Sequence, residues 1–479
     1  MNKSIIRFLL CRVLQFEGIF MMLPCIVALI YKEYTGVYFL LVGLSSIVLG
    51  TLGSFIPAKS KVFYAKEGYV TVALSWIILS IVGAIPFVLS GEIPSYVDAV
   101  FEIASGFTTT GATILTDVET LSYTSMFFRC FTNWIGGMGV IVFIMAVVPL
   151  SGCYNLHLMR AESTGADVGK LVPKIKDTAK ILYLMYIGIS VVLIICYLCA
   201  GMNIYDALII AFSTMGTGGF ANLNLSIGGY SYAVQTITTI FMFICGINFS
   251  AYFVLIGKHP KEFFKNEEVK WYAIIVLLVS VVITFQVRGS FPTIREAFHH
   301  AIFQVVSIMT TTGFSTVDFN VWPMLSKALI VFVMIVGGCA GSTAGGIKVS
   351  RLMISIRELR KEIGLLVSPR SVRKVRLNDR SVGDDIVRTV AAFLLAYFAL
   401  IIISAIIVSL DGFDFTSNVT AVIASVSNVG PGLEMVGPSG NFAAFSNISK
   451  IVLTIDMLAG RLEIFPMLVL INFHTWKRR

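Results

Sequence analysis

Charge is scarce in this sequence: aspartate, glutamate, lysine and arginine make up 13% of its 479 residues. So little charge cannot keep a chain of this length in water, which excludes a soluble fold. The eight cysteines (Cys11, Cys25, Cys130, Cys153, Cys196, Cys199, Cys245 and Cys339) are scattered through or beside apolar runs. Cys196 and Cys199 form a CxxC inside one such run, so they read as small apolar residues, not as a metal or redox centre. The five histidines make no zinc-ligand pattern. The apolar runs hold no HExxH, no paired catalytic aspartates and no serine–histidine arrangement, which argues against a membrane enzyme. No small-residue cleavage site follows the short basic start from Met1 to Arg7, so no cleavable signal peptide is expected.

What is abundant is apolar: 57% of residues are hydrophobic, and mean hydropathy is +0.87. Ten runs approach the ~20 residues that cross a bilayer: 8–31, 37–57, 68–90, 125–150, 179–202, 233–257, 271–288, 323–350, 386–410 and 448–473. Four shorter, more polar runs lie between them, at about 97–108, 205–216, 296–310 and 415–427. With the N-terminus inside, 28 of the 36 lysines and arginines fall in cytoplasmic segments, ten of them between Arg351 and Arg388. Only Lys32, Arg129, Arg288, Arg295, Lys327 and Lys450 fall outside. The positive-inside rule then puts both termini in the cytoplasm of a multi-pass cell-membrane protein. The net charge of +9 is explained by this topology and suits anionic lipid or a cytoplasmic partner rather than nucleic acid. Trp271, Trp322 and Trp476 lie near span ends, as interfacial anchors.

One figure recurs four times, each time between two apolar runs. It is Thr109-Thr110-Gly111, Thr217-Gly218-Gly219, Thr311-Thr312-Gly313 and, most degenerate, Asn428-Val429-Gly430. Six residues before the glycines stand Ser105, Ser213, Ser307 and Ala424, and thirteen before the first two stand Asp98 and Asp206. An acid suits the start of a short helix whose partly negative end then points at the glycine loop. Rings of backbone carbonyls can replace an ion's water shell, and glycine permits the backbone angles such a loop needs. Glycine turns between helices are the plain alternative; four copies in the same place favour a filter. The expected fold is all-α: an N-terminal helix pair (1–66) and four helix–pore-loop–helix repeats in pseudo-fourfold arrangement (67–165, 166–262, 263–365 and 366–479).

The third post-loop run is interrupted by Gly337-Gly338-Cys339-Ala340-Gly341-Ser342-Thr343-Ala344-Gly345-Gly346, followed by Lys348. So many glycines weaken a helix, and irregular backbone at membrane depth must be buried in protein or line water. It reads as a gate below the filter, or else as a close helix-packing surface. The last run carries Asp456, Arg461 and Glu463. Arg461 reads as a cationic barrier beside the pore, or as a structural partner of Glu463 or Asp456. Glu17 is another charge inside a run, with no task assigned.

These repeats, together with Asn133-Trp134-Ile135-Gly136-Gly137-Met138-Gly139, Arg160-Ala161-Glu162, Gly337–Lys348 and Gly460-Arg461-Leu462-Glu463, resemble the bacterial Trk/Ktr potassium-uptake family. The extra N-terminal helix pair favours the longer, Trk branch. The resemblance implies a single-chain pore, working as a homodimer with a cytoplasmic nucleotide-binding regulatory subunit. It implies that Thr109, Thr110, Thr217, Gly218, Thr311, Thr312, Asn428 and Val429 offer carbonyls to a potassium ion, with no covalently bound cofactor. It matches 337–346 to an intramembrane gating loop and Arg461 to a pore-facing arginine. Glycine in all four filters goes with potassium; serine in the first goes with sodium-preferring plant relatives. The expected function is potassium uptake driven by membrane potential. The rivals are a proton- or sodium-coupled symporter on the same fold, and a sensor or scaffold that does not conduct.

Overall fold

The computed structural model describes residues 1–56, 64–139, 175–256, 260–371, 373–378 and 380–476. Arg160-Ala161-Glu162, Cys153 and the second half of the 125–150 run lie outside the described residues. Helices dominate. The two strands among the described residues, Arg376–Leu377 and Arg380–Ser381, form a small antiparallel hairpin with Arg376 opposite Ser381.

The chain opens with α1 (Lys3–Phe20), α2 (Met22–Tyr31) and α3 (Thr35–Phe55). α1 and α3 approach closely through glycine: a Cβ on Gly50 would lie 2.6 Å from the Cys11 carbonyl oxygen, and one on Gly18 would lie 2.5 Å from that of Gly43. Small residues let helix backbones meet where lipid supplies no hydrophobic drive. Next come α4 (Ala65–Leu89), α5 (Tyr96–Phe107), α6 (Tyr123–Met138), α7 (Ile175–Cys199), α8 (Ile204–Gly216), α9 (Tyr232–Cys245) and α10 (Phe249–Ile256). α11 (Pro260–Lys265), α12 (Glu267–Val287), α13 (Ile294–Met309), α14 (Met324–Val336) and α15 (Val349–Val367) follow. α16 (Asp384–Val408), α17 (Phe415–Val426), α18 (Asn447–Arg461), α19 (Phe465–Ile471) and α20 (Phe473–Trp476) complete the order.

Among the described residues, six stretches are long and apolar enough to cross a membrane: Lys3–Tyr31, Thr35–Phe55, Ala65–Leu89, Ala179–Cys199, Glu267–Ser290 and Asp384–Asp411. They match six of the ten apolar runs. The other four runs each follow a glycine loop, and their helices stop early. α6, α9, α14 and α18 have 16, 14, 13 and 15 residues. At 1.5 Å per residue that is roughly 20–24 Å, short of the ~30 Å hydrocarbon core. α6 ends at Gly139 (φ 78°), α14 at Gly337 (φ 72°), and α18 before Glu463 and Ile464 (φ 55° and 66°). Gly246, Ile247 and Asn248 separate α9 from α10. A break was expected in the third of these runs alone; the second and fourth are broken too.

Two of the charges counted on the outer side are buried in ion pairs. Arg129 pairs with Glu102 at 2.7 Å, and Lys450 pairs with Asp98 at 2.6 Å. Trp322, expected as an interfacial anchor, is buried against Phe319. The short helices α5, α8, α13 and α17 lie in the middle of the molecule, with their later residues fully buried.

The α1–α3 crossing gives a stability prediction. Gly50→Ala should lower the thermal unfolding midpoint of the purified protein, because overpacking typically costs about 1–3 kcal/mol. Gly188→Ala, where a Cβ meets nothing within 4 Å, should leave the midpoint unchanged or raise it. Equal midpoints for the two variants would rule out a tight crossing.

Candidate ion-conduction site

The four short helices begin alike. The side chains of Ser95, Asn203, Thr293 and Asp414 cap α5, α8, α13 and α17, accepting the backbone N–H three residues on. Asp98, Asp206 and Glu296 stand in the first turns of the first three. The acids at 98 and 206 are therefore first-turn residues, not the caps themselves. α13 is a turn longer, so its acid lies further from its glycine and escapes the thirteen-residue alignment. In the fourth helix the cap is the acid, and hydrogen bonds from Ser417 hold the Asp414 carboxyl below the usual carboxylate range.

They also end alike. Thr109, Thr217, Thr311 and Asn428 take left-handed backbone angles, with φ 55°, 53°, 54° and 55°. The following N–H reaches back five residues in each case: Thr110 to Ser105 O (2.8 Å), Gly218 to Ser213 O (2.9 Å), Thr312 to Ser307 O (2.8 Å) and Val429 to Ala424 O (2.8 Å). This is the Schellman closure of a helix C-terminus. The alignment of Ser105, Ser213, Ser307 and Ala424 reflects their backbone carbonyls, which explains how alanine can stand in the fourth place. Each next residue is a glycine with positive φ (78°, 71°, 83° and 96°).

The four loops close on one another in a ring. A Cβ on Gly111 would lie 2.3 Å from the Gly218 carbonyl oxygen, and one on Gly219 would lie 2.0 Å from that of Thr312. One on Gly313 would lie 2.2 Å from Val429 O, and one on Gly430 would lie 2.6 Å from Thr110 O. Each glycine thus receives the carbonyl that precedes the next glycine, and the fourth returns to the first. No side chain fits at these positions. A cavity of about 140 Å³ opens beside the ring, bordered by all four glycines.

Side chains hold the ring from behind. Thr108 and Thr110 share a hydroxyl hydrogen bond of 2.8 Å, as do Thr310 and Thr312. Asn428 donates its amide to Thr110 Oγ1 (3.0 Å) and to Met457 O (2.8 Å). Asn133, from the Asn133–Gly139 motif, donates to Ser213 Oγ (3.2 Å). The buried hydroxyls of Tyr197 and Tyr397 meet Thr214 Oγ1 (3.1 Å) and Ser427 Oγ (2.6 Å) at the ends of α8 and α17. Neither tyrosine was marked by the sequence, since an aromatic in an apolar run carries no distinguishing spacing.

The Gly337–Gly346 stretch is a buried hairpin, not a helix. Ile347 N–H bonds Ile335 O (3.0 Å) and Lys348 N–H bonds Val336 O (2.9 Å), so the chain returns to where it left. Its returning limb reaches the ring: Gly345 N–H donates to Thr311 Oγ1 at 2.6 Å, and a Cβ on Gly345 would lie 2.2 Å from Ser427 O. Its other side rests on the break after α9, with Cys339 N–H to Gly246 O (2.9 Å) and Phe249 N–H to Gly341 O (3.0 Å). Glu268 accepts from Ala340 N–H (2.7 Å) and Ser350 N–H (3.1 Å). Two cations grip adjacent carbonyls: Lys348 donates to Ala344 O, and Arg461 to Thr343 O (2.7 Å). Arg461 also donates to Gly136 O and to Gly137 O (2.8 Å) at the end of α6. Glu463 pairs with Arg351, and Asp456 accepts from Ser404 (2.8 Å), so neither carboxylate is taken up as the structural partner considered for Arg461. Every filter, hairpin and Arg461 position singled out in the sequence therefore lies in one connected cluster.

Comparison with known proteins agrees with this geometry. The family model TrkH, described as cation transport protein, matches residues 37–475. Among curated proteins, the Trk system potassium uptake protein TrkH of Salmonella typhimurium is 35% identical over 483 residues, covering 99% of both chains. TrkG of Escherichia coli, also named a Trk system potassium uptake protein, is 31% identical over 463 residues, covering 95% of each. The crystal structure of the potassium transporter TrkH from Vibrio parahaemolyticus superposes with a TM-score of 0.88 at 33% identity, covering 99% of each chain. With a family match over most of its length and several helices able to cross a membrane, the chain is a multi-pass membrane protein that belongs to the TrkH family of cation transport proteins, a family of transporters and not of enzymes.

Proposed function

We propose that the chain conducts potassium through the four-loop ring, with backbone carbonyls of Thr109, Thr110, Thr217, Gly218, Thr311, Thr312, Asn428 and Val429 as ligands. The closed cycle of carbonyls against glycines carries this reading. Four helix C-termini converge there, and their partial negative charge favours a dehydrated cation. The names of the relatives supply the ion. Each filter with its flanking helices makes one of four repeats, so ten spans cross the membrane, three of them broken. Both termini face the cytoplasm, as the basic loops require. Membrane potential drives uptake with ~2.3 kcal/mol per charge for each 100 mV. A nucleotide-binding regulatory subunit of the Trk system and a second copy of the chain are the partners.

The 337–346 hairpin is the gate. Its returning limb meets the third and fourth filter loops, and Arg461 ties it to the first repeat. The guanidinium both holds the hairpin closed and sets a cationic barrier beneath the filter.

Coupling to protons or sodium is the second reading, favoured by Glu17. It is buried, and both its carboxylate oxygens lack a hydrogen-bond partner among the described residues. A reversal potential that shifts with pH or sodium at fixed potassium would select it.

The filter is tested by rubidium and sodium flux into liposomes holding the purified protein. The unaltered chain should prefer rubidium. Gly313→Ser puts a side chain where the Val429 carbonyl lies 2.2 Å from a Cβ, and should reduce that preference about tenfold, some 1.4 kcal/mol. An unchanged ratio would remove the filter assignment. Arg461→Ala should raise flux through the partner-free protein about tenfold, since a hydrogen bond to a charged group contributes roughly 1.5–3 kcal/mol. Deleting 337–346 should do the same. Equal or lower flux in folded variants would count against the gate.

A further inference from the structure

Each filter's outgoing strand is strapped to its own short helix. Asp206 accepts from Asn222 Nδ2 (2.8 Å), Gln304 donates to Val317 O (3.1 Å), and Thr420 Oγ1 accepts from Leu433 N–H (3.0 Å). In the first repeat the strap is Glu102, which accepts the Thr113 hydroxyl (2.9 Å) and the Ile114 N–H (2.9 Å). Unlike the others, it continues into a buried ion pair. Arg129 of α6 donates Nε to Glu102 at 2.7 Å and Nη1 to Ala221 O at 3.2 Å, and lies 3.6 Å from the centre of the Phe220 ring. Phe220 and Ala221 follow Gly219. One chain of contacts therefore runs from the first filter's exit strand through Glu102 and Arg129 to the second filter's exit strand.

We propose that Glu102 and Arg129 are positioning residues that set the spacing of the first and second filter loops, and with it the preference among alkali cations. The inference rests on the filter reading above. Glu102 is 0% exposed and Arg129 2%. A fully buried pair is poorly explained by stability, because well-packed apolar residues of similar volume often serve as well or better. What the pair supplies is fixed geometry: a planar guanidinium that joins a carboxylate, a carbonyl and an aromatic face in one arrangement. A ring held at fixed width cannot contract around the smaller sodium ion. Glu102 has a second effect. Arg129 borders the cavity beside the four glycines, and the carboxylate offsets a cation that would otherwise repel the incoming ion.

The two effects separate by substitution. Glu102→Gln leaves the guanidinium unbalanced beside the ring and should cut rubidium flux about tenfold, in the range that close charge pairs contribute. Adding Arg129→Gln removes that charge, so the E102Q/R129Q double variant should recover flux while its rubidium-to-sodium ratio falls about fivefold. Thr113→Val leaves both charges in place and removes one hydroxyl from the strap; it should also lower the ratio, and it serves if the double variant does not fold. Gly313→Ser is measured beside them in the same liposomes. If Gly313→Ser degrades selectivity while E102Q/R129Q or, in its absence, Thr113→Val keeps the unaltered ratio, this inference fails and the filter stands. If Gly313→Ser leaves the ratio unchanged, the filter reading itself fails and takes the inference with it. Reduced thermal stability with an unchanged ratio in the folded variants would reduce the pair to a structural role.

Discussion

Four carbonyl oxygens lie so close to four α-carbons that only hydrogen can occupy the space between them. The rest of the structure follows from that approach. For the loops to meet, each short helix must end in the same Schellman closure, because the left-handed residue before the glycine aims the strand at its neighbour. For the closure to repeat, the caps at Ser95, Asn203, Thr293 and Asp414 must start each helix in register. Tyr197, Tyr397 and Asn133 then fill the space behind the helix ends, where an unsatisfied hydroxyl or carbonyl would be costly.

The same crowding explains the shortened helices. α6, α9, α14 and α18 pass beside the ring and stop after about four turns. Below the third stop the chain inserts the glycine hairpin, and it finds room because its neighbours have stopped too. Gly246 leaves its carbonyl free of a continuing helix, and Cys339 takes it. The hairpin is buried backbone, tolerated because the protein itself satisfies its polar groups. Thr311 serves both structures: its backbone belongs to the ring, and its hydroxyl holds Gly345. The hairpin and the third glycine loop share that hydrogen bond.

Much of this was legible in the residues. The four glycines, the short polar runs and the glycine-rich interruption stand where the sequence marks them, because glycine at positive φ and the loss of apolar pattern are local signals. Backbone identity hidden under unlike side chains was not legible. Val429 and Gly218 fill the same role through atoms common to all residues, so the fourth copy looked more degenerate than it is. The break at Glu463 and Ile464 was missed because a β-branched residue at positive φ is a conformation only the surrounding fold can impose. The pairing of Arg129 and Lys450 was not legible because their partners, Glu102 and Asp98, are found by three-dimensional packing. For Lys450 and Asp98 that means 352 positions of separation.

The ring's last contact has a bearing on how the protein is made. Asn428 bonds Thr110 across 318 positions of sequence, and Gly430 receives the Thr110 carbonyl. The first glycine loop leaves the ribosome long before its final neighbour exists. Until then the Thr110 hydroxyl and carbonyl lack the contacts that Asn428 and Gly430 make with them. Contacts of such long range form late and slowly. A chain shortened before residue 428 therefore holds three of the four glycine loops and cannot close the ring.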